Sequence, residues 1–365
     1  MDASFIKKFV DLLSSYLNQE EVSFSFDEEE AKELYEFSSF HSLRARVYQA
    51  LVHTKSKISE EALHRFENAY FANIRKQAVF AKEREGLYVY LNEKGIDYLP
   101  LKGLILQDCY LDPAEREFAD NDILFKGDDS LVKDYFVSKG YEVESFRRGN
   151  HDVYWKKPFL NFEMHRSLFV DDDENKVPHD YFLNILDKAP ILKDKEHVLS
   201  DEDFYLYFLA HAEKHIRHGG CGIRTLVDAY LYLRNKDLNE AYILEETKKL
   251  EMEDFHRCFS SLSKKIFVHE SLNEEEKALW SLILTSGTYG TIDHAVEEGV
   301  KKKGKFGYFW QRLFPPIRFY KDYYPWAYKT KILIPVAWVF RLFRGIFKSG
   351  KRTRSELKAL SKTKK

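Results

Sequence analysis

Two short segments of the chain carry acidic residues at the spacing that places side chains on one face of a strand. Asp120 and Asp122 are two positions apart, and so are Glu163 and His165 about forty residues later. Successive side chains of a strand point to opposite faces, so each pair shares a face. If the two strands pair, three carboxylates converge, and like charges that close resist joint ionisation unless a cation lies among them. The spacing therefore predicts a divalent metal site.

The acidic pairs lie where the hydrophobic period changes from that of helices to that of strands. Between residues 96 and 168 the pattern predicts the order β-α-β-α-β-β-β. The first strand ends in Lys102-Gly103, the second opens at Asp120, and the last two are joined through Pro158. This order predicts a small mixed sheet flanked by helices.

Helical periodicity dominates on both sides of this stretch. A long helix is predicted to start after the N-cap residue Ser59 and to end near Gly95. Further helices are predicted over Asp201–His218, Ile223–Asn235, Leu238–Leu250, Asp254–Phe267, Glu274–Leu284 and Thr291–Lys301. The fold class is thus α+β, in four segments: helical at 1–94, an α/β core at 95–170, a helical domain at 171–302, and a basic, aromatic-rich tail at 303–365.

Composition indicates a folded protein of a reducing compartment. The 365 residues, 16% of them aromatic, suffice for two or three domains with a sizeable core. Cys109, Cys221 and Cys258 fit neither a disulfide framework nor a zinc spacing. The N-terminus lacks the apolar region of a signal peptide, and the longest apolar run, 332–340, is about half the ~18 residues of a membrane span. We expect a cytoplasmic protein.

Charge is distributed unevenly along the chain, although the net charge is only −2. Residues 301–365 hold 19 Lys and Arg against two acids, which leaves 38 basic and 57 acidic residues before them, a net charge of −19. Aromatic residues stand among these cations, and the last thirteen or so residues are predicted to be disordered. The tail suits the inner, anionic face of a membrane. Packing on the helical domain ranks level with that reading, and nucleic acid ranks third.

Five motifs in this order resemble a known family. They are LKG at 101–103, an Arg shortly before DNDIL at 120–124, FEMH at 162–165, HAEKH at 211–215, and a tail of the form FPP…YP. The chain resembles the nucleotidyltransferase superfamily that includes DNA polymerase β, and within it a bacterial family of nucleotidyltransferases. The likeness is firmest over 98–168 and extends loosely to 342. It implies that 95–170 is a nucleotidyltransferase-like core.

The resemblance implies a reaction and its metal site. A nucleoside monophosphate would pass from NTP to an unidentified acceptor hydroxyl or phosphate, with pyrophosphate leaving. Asp120 and Asp122 would ligate Mg²⁺, and Glu163 would complete a second metal position and act as base for the acceptor hydroxyl.

The resemblance also implies residues that bind the nucleotide. The backbone after Lys102-Gly103 would cradle phosphate oxygens, the ammonium of Lys102 would neutralise them, and Arg116 would clamp them in a bidentate manner. Lys214 or His215, in the later HAEKH motif, would lie near phosphate.

Three alternatives stay open. His211, His215 and His218 share a helix face and could be read as a zinc site, although no fourth ligand is evident. Asn121 between the acids, and Lys102-Gly103 where the superfamily has Gly-Ser or Gly-Gly, favour a catalytically degenerate scaffold that docks through its basic tail. A kinase-like phosphotransferase could use the same acids.

Overall fold

Four helices precede the first strand in the computed structural model, which describes residues 2–117, 119–288, 290–347 and 350–362. They are α1 (Ala3–Leu17), α2 (Glu28–Phe40), α3 (Arg44–His53) and α4 (Glu60–Glu93). The hydroxyl of Ser59 accepts a hydrogen bond from the Ala62 amide and caps α4. Gly95 follows with φ +67°, in the left-handed region that glycine adopts most readily. Both predicted ends of the long helix are confirmed.

The fold is α+β, as predicted, and the described residues form a mixed sheet of seven strands at its centre. The strands are β1 (Asp97–Pro100), β2 (Asn121–Lys126), β3 (Glu142–Ser145), β4 (His151–Lys156), β5 (Leu160–His165), β6 (Ile191–Lys193) and β7 (Glu196–His197), in the spatial order β3-β4-β5-β2-β1-β7-β6. The helices α5 (Gly103–Leu106) and α6 (Asp129–Ser138) separate the first three strands. The predicted strands correspond to β1–β5, whereas β6 and β7 fall where helices alone were predicted.

The two faces of the sheet have different neighbours. Ile123 and Phe125 of β2, with Phe162 and Met164 of β5, join an apolar cluster that includes residues of α4 and α6. Side chains alternate along a strand, so the intervening residues face the other way, towards the helices that follow the sheet. The acidic side chains lie on this second face.

In the part of the chain that the structure describes, eight further helices begin between β5 and the tail, and the last of them extends into the tail. They are α7 (Lys176–Phe182), α8 (Ile185–Lys188), α9 (Asp201–His218), α10 (Ile223–Asn235), α11 (Glu240–Lys249), α12 (Glu253–Ile266), α13 (Glu274–Ser286) and α14 (Ile292–Leu313). The bounds of α9 and α10 match the prediction. Both helices share one apolar core with α1–α3 and with the second face of the sheet. That core holds α9 and α10 opposite the acidic side chains.

The tail is helical in the residues that the structure describes. It contains α15 (Ile317–Tyr323), α16 (Pro325–Thr330), α17 (Ile334–Phe347) and α18 (Gly350–Lys362). The predicted disorder is wrong for 353–362, because α18 buries Ala359 against Val296 and Val300 of α14. Across the described ranges, no helix combines the length and apolar character needed to cross a membrane.

Three consecutive charged residues, 115–117, fasten the loop that leads into β2. Each side chain makes an ion pair with a residue of α3 or α10, and the pairs are Glu115–Arg46, Arg116–Asp228 and Glu117–Arg44. The loop that carries Asp120 is therefore tied to helices on two sides.

Candidate functional site

A cavity of about 490 Å³ lies between the second face of the sheet and helices α9 and α10. Its volume is in the range of small-molecule sites. The eight residues that the sequence proposes for the metal and nucleotide site all lie in its lining: Lys102, Gly103, Arg116, Asp120, Asp122, Glu163, Lys214 and His215. Acids come from the sheet side, and Lys214 comes from α9 on the opposite side.

The register of two neighbouring strands brings the acids together. Strands β2 and β5 pair in parallel, with Asp122 directly opposite Glu163. Asp122 Oδ1 accepts hydrogen bonds from Lys102 Nζ and from His165 Nε2, each at 2.8 Å. Asp120 precedes β2 and lines the same cavity. The register of β2 and β5 therefore brings acidic side chains from two strands together, as expected.

The three carboxyl groups perturb one another. Burial, together with the charges of Asp122 and Asp120, raises the pKa of Glu163 to about 8. Burial and the charge of Asp122 also raise the pKa of Asp120. Burial acts upward on Asp122 too, but Lys102 and His165 outweigh it and hold the pKa of Asp122 well below its usual range. The pocket thus stabilises one carboxylate fully and resists ionisation of the other two.

Lys102 has an unusual backbone as well as a central side chain. Its φ of +46° lies in the left-handed region, which a side chain makes costly, by about 1 kcal/mol or more. The strain is offset locally, because the ammonium pairs with Asp122 and the Leu101 amide donates to the Asp122 carbonyl. The helix that follows, α5, is a single turn, and a 3-10 turn over Gln107–Cys109 continues it.

The side chain of Asn121 lies on the face of the sheet opposite the acids, and its contacts there explain why the residue is polar. Its side chain is fully buried, and its Oδ1 accepts from Arg84 Nη1 of α4 at 2.9 Å. Its Nδ2 has no partner within the described ranges. The polar residue between the two acids therefore belongs to a buried contact with α4 and does not enter the cavity.

Arg116 reaches the cavity wall already paired. Its Nε and Nη2 donate to the two carboxylate oxygens of Asp228 at 2.8 and 2.9 Å, and Tyr110 also donates to that carboxylate. A bidentate pair of this kind occupies the two nitrogens best arranged to grip a phosphate. Arg116, the predicted phosphate clamp, therefore links the loop before β2 to α10 through Asp228.

The histidines of α9 do not form one cluster. His211 and His215 lie with their Nε2 atoms 3.1 Å apart, and burial lowers the pKa of both, to about 3 for His215. His218 turns away and pairs with Glu174 at 3.0 Å. Among the described residues, the metal-compatible group contains none of the three. The zinc reading of this helix has no support in the structure.

Sequence reasoning missed several residues that the structure places in the cavity wall, among them His151 and Arg224. His151 of β4 lies opposite His165 of β5, with its Nε2 3.7 Å from Glu163 Oε2. The signal was present, since a tight connection through Pro158 sets that register. Arg224 of α10 donates to the Glu117 carbonyl, and its Nε is buried without a partner in the described part of the chain. Only the fold reveals its position.

Comparison with known proteins places the chain in a family. A family model described as an uncharacterised nucleotidyltransferase matches residues 27–267, and the chain belongs to that family. None of the curated proteins matches. A solved structure of a cytoplasmic RNA terminal U-transferase matches at 12% identity with a TM-score of 0.22, covering 53% of each chain, so this chain spans about half of that one. Such a score supports no argument, whereas the family supports nucleotidyl transfer in general.

Proposed function

We propose that the protein is a metal-dependent nucleotidyltransferase that moves a nucleoside monophosphate from NTP to an acceptor hydroxyl or phosphate. The observation that carries the proposal is the pairing of β2 with β5, which sets Asp122 opposite Glu163 in a cavity that Asp120 also lines. The family to which the chain belongs supports the same class of reaction.

The donor set suits a divalent cation. Three carboxyl groups meet here. A protonated Glu163 can donate a hydrogen bond to Asp122, and a bound cation could take the place of that proton. Hard oxygen ligands of this kind are those that Mg²⁺ prefers. Asp120, Asp122 and Glu163 would hold one or two ions. Cations bound there would neutralise phosphate charge and lower the pKa of the acceptor hydroxyl.

Cationic side chains around the same cavity would bind the triphosphate. Lys102 lies among the three carboxyl groups. Lys214 of α9 and Arg224 of α10 line the opposite side of the cavity. Burial and the charge of Lys102 lower the pKa of Lys214, so an added polyanion would be favoured there. Arg116 also lines the cavity, where Asp228 balances its charge, so it would contact phosphate only through a nitrogen that this pair leaves free. Positioning plus charge neutralisation is what phosphoryl chemistry requires from a protein.

The transfer step needs few further groups. The acceptor oxygen would form a bond to the α-phosphorus while the bond to the bridging oxygen breaks, and pyrophosphate would leave. A Glu163 carboxylate, ionised once a cation has replaced its proton, would take the proton of an acceptor hydroxyl. Gly103 and His215, also in the lining, would contact the phosphates.

Nucleotide turnover with each of the four NTPs tests the reaction. We expect cation-dependent release of pyrophosphate when hydroxyl and phosphate acceptors are supplied, and a loss of about a hundredfold or more in Glu163→Gln, because the amide cannot act as base. High-performance liquid chromatography separates the products. Release of a nucleoside diphosphate would indicate a phosphotransferase instead.

A catalytically degenerate scaffold is the competing function. Its main support in the sequence was Asn121, but that residue faces α4 and contacts Arg84 rather than the acids. Calorimetry decides between the two, since a scaffold without a nucleotide site would bind no NTP in the presence of Mg²⁺.

We also propose that the tail docks on an anionic membrane surface. Val336, Val339, Phe340 and Phe343 form one stripe of α17, and they are exposed, Phe340 by 61% and Phe343 by 57%. The opposite side of α17 is buried at Ala337. An exposed apolar stripe within a strongly basic segment is typical of interfacial helices. The exposed apolar side chains favour lipid, which would bury them. Nucleic acid would present its phosphates to the tail and leave these side chains in water.

Co-sedimentation with anionic vesicles tests the tail. We expect the double substitution Phe340→Ser with Phe343→Ser to lower binding about tenfold or more, because each ring loses apolar burial worth about 1–2 kcal/mol. Phe71→Ser, an exposed aromatic of α4, is the matched control and should bind as the unaltered protein does. Equal binding to neutral vesicles, or an unchanged double variant, contradicts the proposal.

A further inference from the structure

The acidic patch continues into two histidines on the same face of the sheet. His151 Nε2 lies 3.7 Å from Glu163 Oε2, and His165 Nε2 lies 3.8 Å from the same oxygen. In the described part of the chain, these three residues form a group whose ligand atoms all lie within 4.8 Å of one another. The two histidines are direct cross-strand neighbours, so the sheet itself fixes their positions.

Asn150 determines which nitrogen of His151 is available. Its Nδ2 donates to the carbonyl oxygens of Ser167, at 2.9 Å, and Leu168, at 3.3 Å. Carbonyl oxygens only accept, so the amide orientation is fixed and Oδ1 faces His151 Nδ1 at 3.1 Å. An amide oxygen also only accepts, so Nδ1 of His151 carries the proton. The lone pair is therefore on Nε2, the atom nearest Glu163.

His165 has the opposite arrangement. Its Nε2 lies 2.8 Å from Asp122 Oδ1, a carboxylate oxygen whose partner must be a donor, so this nitrogen carries the proton. Its Nδ1 faces Nδ2 of Asn150 at 3.5 Å, as an acceptor would. One buried amide thus sets two imidazoles in different tautomers, one with a free lone pair and one that orients Asp122.

We propose that His151 Nε2 is a nitrogen ligand to a divalent cation held by Glu163, and that this position prefers a transition-metal ion such as Mn²⁺, Co²⁺ or Zn²⁺ to Mg²⁺. Imidazole nitrogen suits Zn²⁺ and Co²⁺ best and Mn²⁺ less, whereas Mg²⁺ favours an all-oxygen set. His165 is a positioning residue for Asp122, and Asn150 orients both rings in the manner of outer-shell partners. The inference rests on the proposed function in that Glu163 holds a cation.

Pulsed electron paramagnetic resonance of the full-length protein loaded with Mn²⁺ tests the ligand directly. We expect nitrogen coupling from one imidazole in the unaltered protein and in His165→Gln, whose amide can still donate to Asp122. His151→Ala should lose the coupling and bind Mn²⁺ about tenfold or more weakly. Its Mg²⁺ affinity, measured by competition, should change by less than about threefold, since Mg²⁺ is held by oxygens.

His64→Ala is the matched control, because His64 is an exposed histidine of α4 that pairs with Glu67. Circular dichroism verifies folding, and His151→Gln, which keeps the polarity of the side chain, is a second variant that should also lose the coupling. Mn²⁺ binding without nitrogen coupling, or coupling that survives in His151→Ala, overturns the inference and leaves the proposed function standing. Failure of Mg²⁺ and Mn²⁺ alike to bind or to support turnover would instead overturn the proposed function.

Discussion

Replacing Asp122 with Asn is expected to lower NTP turnover by about a thousandfold or more. Asp122 is the carboxylate that the cavity keeps ionised, because Lys102 and His165 both donate to its Oδ1 at 2.8 Å. The substitution removes that charge at the point where Glu163 lies directly opposite. Loss of a metal-holding charge of this kind raises the barrier by about 4 kcal/mol, which corresponds to about a thousandfold. Steady-state kinetics with the preferred NTP measures it.

The variant should remain folded, which separates chemistry from stability. Asn has the shape of Asp, and its amide oxygen can still accept from Lys102. Asp134→Asn, an exposed carboxyl of α6, is the matched control and should keep full turnover. A folded Asp122→Asn protein with unaltered kinetics would remove Asp122 from the site, and with it the argument from the register of β2 and β5.

Short-range periodicity explains why so much of this site could be predicted. Alternation along β2 and β5 is a local property, so it assigned Asp122 and Glu163 to faces without knowledge of the fold. Helix ends were also local, as the capping of α4 by Ser59 shows. What the pattern left undetermined was whether these faces meet, and the parallel pairing of the two strands decides that.

Contacts between segments that lie far apart in the chain could not be predicted from the sequence. The resemblance implied that Arg116 is a phosphate clamp, but its partner Asp228 is 112 residues away. The sequence offered no reason for a polar Asn121 between two acids, whereas the structure shows its hydrogen bond with Arg84 on the other face of the sheet. In both cases the missing information was a partner rather than a motif. His151 differs, because it lies in the same hairpin as His165 and the turn at Pro158 gives the register of that hairpin.

The substitution Glu115→Ala is expected to cause the largest loss of stability. Arg46 pairs with Glu115 where both side chains are buried, with 1% and 0% of their surface exposed, and Tyr16 also donates to Glu115 at 2.5 Å. Removing one partner of a buried ion pair leaves the other charge without compensation, which costs about 3–5 kcal/mol. Urea unfolding followed by circular dichroism measures the change in the free energy of unfolding.

Glu117→Ala is the matched control, because it removes a carboxylate from the same loop. The side chain of its partner Arg44 is 35% exposed, so solvent screens the lost charge and the expected cost is about 1 kcal/mol. Equal losses in the two variants would contradict the argument from burial. Replacing the whole pair, Arg46→Met with Glu115→Leu, should recover most of the stability, since apolar side chains of similar size need no counter-charge. Turnover should fall in Glu115→Ala as well, because the loop that Glu115 fastens delivers Asp120 to the cavity.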